Sequence, residues 1–351
     1  LEAAFHPRIN VIFGDNAQGK TNLLEAVAYL SSASSHRARY DRELIQFGVD
    51  HAFVKGEVAS RGRDFTLEAS LHRGARRQLL SNGVRLKNAG ELAGILNTVL
   101  FCPEDLYLIR AGAEARRKFL DQCICQLRPR YAVALAEYKR LREHKTRILR
   151  DSAEHPDLLD TLDDFSLRMA QCGAILVHYR AHFIKKLRQA APPIHADCSG
   201  GRERLELEYR TVSTVTDPEA PPKTLLPQLL DHQESHRRAE IESRSCLSGP
   251  HKDDLSVSID GCPAGAYASQ GQTRTAALAL KLAARDIFYQ DTQEWPVLLL
   301  DDVLSELDSR RQEFVLNRIT SGQVFITCCE EEKLVHLREG NAFYIHDGRL
   351  A

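Results

Sequence analysis

An apolar run, Asn10-Val11-Ile12-Phe13, leads straight into Gly14-Asp15-Asn16-Ala17-Gln18-Gly19-Lys20-Thr21, and apolar residues at helical spacing follow through Asn22–Leu30. Strand, glycine loop and helix form the context in which G-x-x-x-x-G-K-[ST] has chemical meaning. The glycines let the backbone curl so that amide groups face phosphate oxygens. Lys20 reaches the β and γ oxygens, and Thr21 offers a hydroxyl to Mg²⁺. The helix that opens there, with Asn22 in its first turn, directs its positive end at the anion. The motif predicts an α/β fold that takes a nucleoside triphosphate.

A second string completes the chemistry. Val297-Leu298-Leu299-Leu300-Asp301-Asp302 reads as a buried strand that delivers two carboxylates at its carboxyl end. Asp301 is the expected Mg²⁺ ligand, directly or through water, and Asp302 is placed to orient or deprotonate the attacking water. Most of the chain separates Lys20 from Asp301, which excludes a compact small GTPase or nucleotide kinase. Shortly before the acids, Ala268-Ser269-Gln270-Gly271-Gln272-Thr273-Arg274 opens an apolar segment, and a small polar turn at a helix start is again an anion site. Ser305-Glu306-Leu307-Asp308 and the strand Gln323–Thr327 come after them.

Between these strings the texture changes twice. Ala52–Val58 and Phe65–Leu71 alternate as strands, with turn signals at Arg61-Gly62-Arg63, Arg73-Gly74 and Ser81-Asn82-Gly83. From about 106 to 190 long helical patterns take over without a sustained heptad, and Ala191-Pro192-Pro193 is expected to end that block. A strand is expected at Leu205–Tyr209, a surface loop at Pro218–Pro222 and a helix at Ser309–Ile319. The nine cysteines lack C-x-x-C spacing and read as reduced thiols of a cytoplasmic protein. No apolar run approaches the ~20 residues that span a bilayer, and no basic-then-apolar leader is present. The chain opens on Leu1 and its one methionine is Met169, so an opening strand is expected to lie outside it.

The order of phosphate loop, SQGQ turn, LLLDD strand, SELD and terminal strand resembles that of ABC-type ATPase heads. More narrowly the chain resembles the RecF family of the SMC/Rad50-like branch. The resemblance is carried by GDNAQGKTNLLEA at 14–26, PEDLYLIRAGAEARRKFLD at 103–121, GPHKDDL at 249–255, SQGQTRTAALALKLA at 269–283 and LLLDDVLSELDSRR at 298–311. Ala111 and Ala113 stand where the family usually has Gly and Pro, which should loosen that turn. The family's first strand, with its Arg-Asn pair near the nucleotide, has no match, so the adenine contacts stay unassigned.

The resemblance implies an ABC-ATPase head with two lobes, residues 1–105 and 290–351 forming one and the mainly helical 106–289 the other. It implies an ATP-driven homodimer, in which ATP on Gly14–Thr21 of one copy is covered by Ser269, Gly271 and Gln272 of the other. Thr327 stands at the switch position and is expected to contact the γ-phosphate. Many such heads carry Glu at the position of Asp302, so slow hydrolysis is expected. The usual Q-loop glutamine has no counterpart, and Glu104 and Asp105 lie near its place without an assigned role. The implied function is ATP-dependent DNA binding in recombinational gap repair, with RecO and RecR as partners.

Support for DNA from the residues is local, since 47 basic against 48 acidic side chains leave a net charge of −1. Candidate patches are Arg61 with Arg63, then Arg73, Arg76 and Arg77, and a helix bearing Lys139, Arg140, Arg142, Lys145 and Arg147. Binding is expected to be directed at the backbone of single-strand/double-strand junctions and to be sequence-tolerant. Arg116-Arg117 read as structural or interlobe, and GPHKDDL as a turn into Leu255–Ile259 at the lobe junction rather than a metal site. Three rival readings are disfavoured. A transporter ATPase subunit would show a closer LSGGQ, a nucleotide-locked scaffold is opposed by intact Lys20, Asp301 and Asp302, and a cohesin-like arm by the short insert.

Overall fold

The computed structural model describes residues 1–38, 40–329 and 340–350. Among them, packing separates two compact units. The first comprises Leu1–Tyr107, Ile194–Arg202 and Arg274–Ala351, and the second Leu108–Pro193 and Glu203–Thr273.

The first unit is organised by short apolar strands that are buried on both faces, the usual reading of a parallel sheet. β1 (Ile9–Phe13) is followed by α1 (Lys20–Ser32). An antiparallel meander comes next, β2 (His51–Ser60), β3 (Arg63–His72), β4 (Gln78–Ser81) and β5 (Val84–Arg85), and then β6 (Thr98–Phe101). The two-residue turns Arg61-Gly62 and Asn82-Gly83 have positive φ throughout (52°, 68°, 50° and 74°), as tight hairpins demand. Outward and inward residues alternate along β2.

The second unit carries α2 (Ala113–Leu127), α3 (Pro129–Asp151), most of α4 (Leu162–Ser199) and α5 (Pro222–Ser243). It also holds the antiparallel β7 (Leu205–Arg210), β8 (Asp254–Ile259) and β9 (Cys262–Pro263), with the short α6 (Ala264–Tyr267). Its interior holds a polar network around Arg180. The Arg180 guanidinium donates to Asp121 (2.9 Å), to Asp253 (3.0 Å) and to the Pro250 carbonyl (2.6 Å), and Asp253 also accepts from Tyr209 and Thr211.

The chain then returns through α7 (Gln270–Thr292), β10 (Val297–Leu300), α8 (Ser309–Arg318), β11 (Val324–Cys328), β12 (Gly340–His346) and β13 (Arg349–Leu350). The large sheet has the order β13-β12-β1-β11-β10-β6, parallel except for the last hairpin. Its parallel strands all end at one edge, so Phe13, Leu300 and Cys328 deliver whatever follows them to the same place. Ile12, Leu299, Phe325 and Ile345 pack with Leu24 and Ala28 of α1.

Two details depart from the sequence reading. Pro192-Pro193 does not end the helical block, because α4 runs through both to Ser199. The reason is burial on either side: Ala191, Ile194 and His195 are fully enclosed, which sustains the helix despite the lost N–H donors. The pair instead marks where the chain passes between units. Residues from Arg274 onward pack with the first unit, whereas the expected lobe boundary lay at 290. There Lys281 donates to the Leu100 carbonyl (2.8 Å) and pairs with Asp105 (2.7 Å), and Arg274 donates to the Glu306 carbonyl (2.7 Å).

Candidate nucleotide site

Between β1 and α1 the loop is shaped by backbone that few residues tolerate. Gly14 has φ 146°, and a Cβ there would stand 2.3 Å from the Ile345 carbonyl oxygen. Gly19 (φ 104°) begins α1 with no side-chain cap and no acidic residue in the first turn. The first N–H groups of that helix therefore face outward with no local competitor for an anion. Lys20 is 5% exposed and folds over the loop, its Nζ donating to the carbonyls of Gly14 (2.7 Å) and Asp15 (3.0 Å). Asn16 accepts from the Cys329 thiol (3.1 Å). Ala17 holds a left-handed φ of 64°. Gln18 is tied to the β12–β13 turn, and the Asn22 amide oxygen accepts from Arg37 (3.5 Å).

The acids stand beside this loop. Asp301 Oδ1 accepts from Thr21 Oγ1 at 3.0 Å and from Thr327 Oγ1 at 2.9 Å. Thr327 Oγ1 in turn accepts from the Asp302 amide at 2.8 Å. One hydroxyl from the loop, one from β11, the Asp301 carboxylate and the Asp302 amide thus form a continuous hydrogen-bonded line at the sheet edge. Asp301 is only 4% exposed, and burial raises its pKa against the pull of the Thr327 and Thr21 hydroxyls. A divalent cation fits this donor set: a hydroxyl and a carboxylate oxygen, already in contact, are what a Mg²⁺ ion takes alongside water and phosphate. Asp302 is half-buried in the left-handed region (φ 50°), where Asp is tolerated better than longer acids.

Residues that the sequence did not single out also reach the site. His36 interacts electrostatically with Asp301, Glu25 and Asp105, and burial lowers its pKa. No spacing rule flags a histidine in such a loop. Asp105 is spent on Lys281 and on the Cys102 amide (3.0 Å), while Glu104 is exposed. In the segment after Asp302, Ser305 Oγ donates to the Asp302 carbonyl (2.6 Å), and Asp308 caps α8 by accepting from the Arg311 amide (2.9 Å).

The SQGQ turn lies on the surface of the second unit. Ser269 is exposed and forms a reciprocal cap: its hydroxyl accepts from the Gln272 amide (3.2 Å), and the Gln272 side chain accepts from the Ser269 amide (2.8 Å). S-x-x-Q is itself a capping box, so the string has a structural use that accompanies any role toward phosphate. Gly271 sits in the first turn, half-exposed.

The basic candidates divide. Arg73 donates to the carbonyls of Val49 (3.0 Å), Ile45 and Gln46 (both 3.3 Å), and Arg77 pairs with Asp41 (3.2 Å). Arg61, Arg63 and Arg76 are exposed. On α3, Lys139 is exposed and Arg140 pairs with Glu137. Lys145 leaves the patch altogether, because it is buried in an ion pair with Glu240 (2.7 Å). Arg116 and Arg117 are structural: Arg116 clamps Asp254 at 2.8 and 2.9 Å, and Arg117 holds the Asp253 carbonyl. GPHKDDL does form a turn into β8, with His251 bonded to Tyr138 (2.7 Å) and the Cys246 carbonyl (3.0 Å).

Against known proteins, the family described as RecF/RecN/SMC N terminal domain matches residues 1–347. A protein of Agathobacter rectalis called DNA replication and repair protein RecF is 38% identical over 339 residues, covering 96% of this chain and 90% of its own. The chain belongs to the RecF family. A RecF of Listeria innocua is 39% identical over the whole chain and 95% of its own length. Among solved structures, the recombination mediator protein RecF with ATP in the RecFOR pathway superposes with a TM-score of 0.90 at 33% identity, over 99% of this chain and 92% of that one. An Smc head domain of Pyrococcus furiosus, at 15% identity and a TM-score of 0.52 over 98% of this chain and 89% of its own, shares the fold. The fold is therefore that of an ABC-type ATPase head of the SMC-like branch, as the RecF strings imply.

Proposed function

We propose that this RecF-family chain is an ATP-dependent DNA-binding protein of recombinational gap repair, closing as a dimer over two ATP molecules and hydrolysing them slowly. The observation that carries the reading is the line Thr21–Asp301–Thr327–Asp302 beside an uncapped helix start. In this reading the amides of Asn16–Asn22 and Lys20 bind the triphosphate. Thr21 and Asp301 would hold Mg²⁺, which would supply charge neutralisation for the triphosphate. Thr327 orients both acids at once, through its hydroxyl to Asp301 and through the Asp302 amide. Asp302 positions the water and takes its proton.

The exposed Ser269 and the first-turn amide of Gly271 then cover the γ-phosphate of a second copy. Neither half surrounds the phosphate alone, so ATP binds the dimer better than the monomer and drives association by mass action. Hydrolysis removes that linkage. DNA at single-strand/double-strand junctions is held through phosphates, stimulates a weak ATPase, and is handed on with partners of the RecO and RecR type.

The test is sizing of the full chain with and without ATP and gapped DNA. The parent should dimerise with ATP, whereas Lys20→Ala and Ser269→Arg should remain monomeric. DNA association indifferent to nucleotide would defeat the reading.

A further inference from the structure

We propose that a cavity enclosed by α3, α4 and α5 binds a linear aliphatic diamine or polyamine, that is, ammonium groups borne on a methylene chain. Every residue of its lining belongs to the second unit, and none comes from the phosphate loop or the acid-bearing strand. The site is therefore independent of the nucleotide reading.

α5 turns one face toward its neighbours, and that face changes character along the helix. Near its start, Leu225 and Leu229 pack with Ala170, Ala174 and Val177 of α4, as an inward stripe ordinarily does. Gln233, Arg237 and Glu240 continue the face at helical spacing, but what they line is a cavity of about 270 Å³. Its enclosed part is polar. Lys145 of α3 and Glu240 are both buried and pair at 2.7 Å, and Glu240 also accepts from the amides of Leu247 (2.8 Å) and Ser248 (3.2 Å). In the same lining Gln233 is 5% exposed, and its Oε1 accepts no hydrogen bond among the described residues. A buried amide oxygen without a donor is costly, and here it borders a space large enough to admit one.

The surrounding charges decide what kind of donor fits. Lys145 is balanced by Glu240, and Arg237 by its ion-pair partner Asp163. Asp231 and Glu234 also line the cavity, are exposed, and have no ion pair among the described residues. Two negative charges are thus left unanswered at the outer part of the site. Leu162 and Leu230 add apolar wall. An ammonium group answers the Gln233 oxygen, a second one answers the two carboxylates, and the methylenes between them suit the leucines. An anion is repelled by Asp231 and Glu234, and a neutral diol meets the acceptor without meeting the charge.

Calorimetric titration of the full chain, without nucleotide or DNA, tests this with putrescine as the probe and butanediol of the same chain length as its uncharged counterpart. Putrescine should saturate a single site and raise the melting temperature, and butanediol should do neither. Asp231→Asn combined with Glu234→Gln alters two exposed side chains, and it should weaken putrescine roughly tenfold. Gln233→Leu removes the buried acceptor and should weaken it by about the same factor. Nα-acetyl-lysine methylamide carries one ammonium instead of two and should bind several-fold more weakly; equal or tighter binding would give the cavity to a partner's lysine and overturn the assignment. Absence of saturation by putrescine, butanediol binding as well as the diamine, or parent affinity in the Asp231/Glu234 variant would each overturn it too.

Discussion

Burial raises the pKa of Asp301, while the hydroxyls of Thr21 and Thr327 favour its ionised form. Between the ordinary carboxylate pKa and the raised one, the folded chain holds a proton that the unfolded chain has released. Stability therefore falls as pH rises through that window, and the ionised acid is a cost at neutral pH that a divalent cation held there would relieve. Asp301→Asn should raise the melting temperature of the nucleotide-free chain at neutral pH and abolish Mg²⁺-dependent hydrolysis. The gain should shrink as pH falls into the window, where the parent carboxyl is itself neutral. A lower melting temperature at neutral pH would contradict this account. At the next residue, if Asp302 is the proposed base, Asp302→Glu extends it by one methylene and single-turnover hydrolysis should accelerate several-fold; Asp302→Asn should remove at least tenfold. The left-handed backbone opposes the glutamate by about 1 kcal/mol, so the faster variant should also melt lower. Both acids were legible as a motif. Thr327 was legible by position, but its bonds to the Asp301 carboxylate and the Asp302 amide are a product of strand register.

At the scale of elements, the turn before β8 shows what a buried histidine does to pH dependence. Burial holds His251 at a pKa of about 4, neutral between Tyr138 and the Cys246 carbonyl. The unfolded chain protonates near 6.5, so this element contributes its full stability above that value and loses it as pH falls toward 4. The loss amounts to about 3 kcal/mol. His251→Gln should flatten the urea midpoint across that range. The neighbouring Arg180 network is harsher. Asp253→Ala leaves a guanidinium enclosed without one of its two carboxylates, and unfolding of the second unit should be easier by about 3–5 kcal/mol. The pattern of alternation announced β2 and β3 because one face of that meander is solvated. The double proline misled because local helix rules were overridden by enclosure of Ala191, Ile194 and His195.

For the whole molecule, the proposed DNA contact of a near-neutral chain has to come from cationic groups that remain exposed. Arg63→Ala and Arg76→Ala should each lower the slope of log affinity against log salt by about 1, uniformly across sequences. Arg73→Ala should instead loosen the loop whose carbonyls it holds, with little effect on the slope. Equal slopes for all three variants would place DNA elsewhere.

By itself the sequence determined the phosphate loop, the acid-bearing strand and the family, since each is a contiguous string whose residue types are demanded by backbone curl, metal affinity or burial. Which charges are free could not be read there. Lys139 and Lys145 share one helix and one composition, yet one is exposed and the other is buried against Glu240. The hairpin at the carboxyl end meets the loop near the amino end only because parallel pairing lays β12 beside β1. Contacts between residues this far apart in the chain come from how strands order in a sheet, and that is settled by packing the whole core.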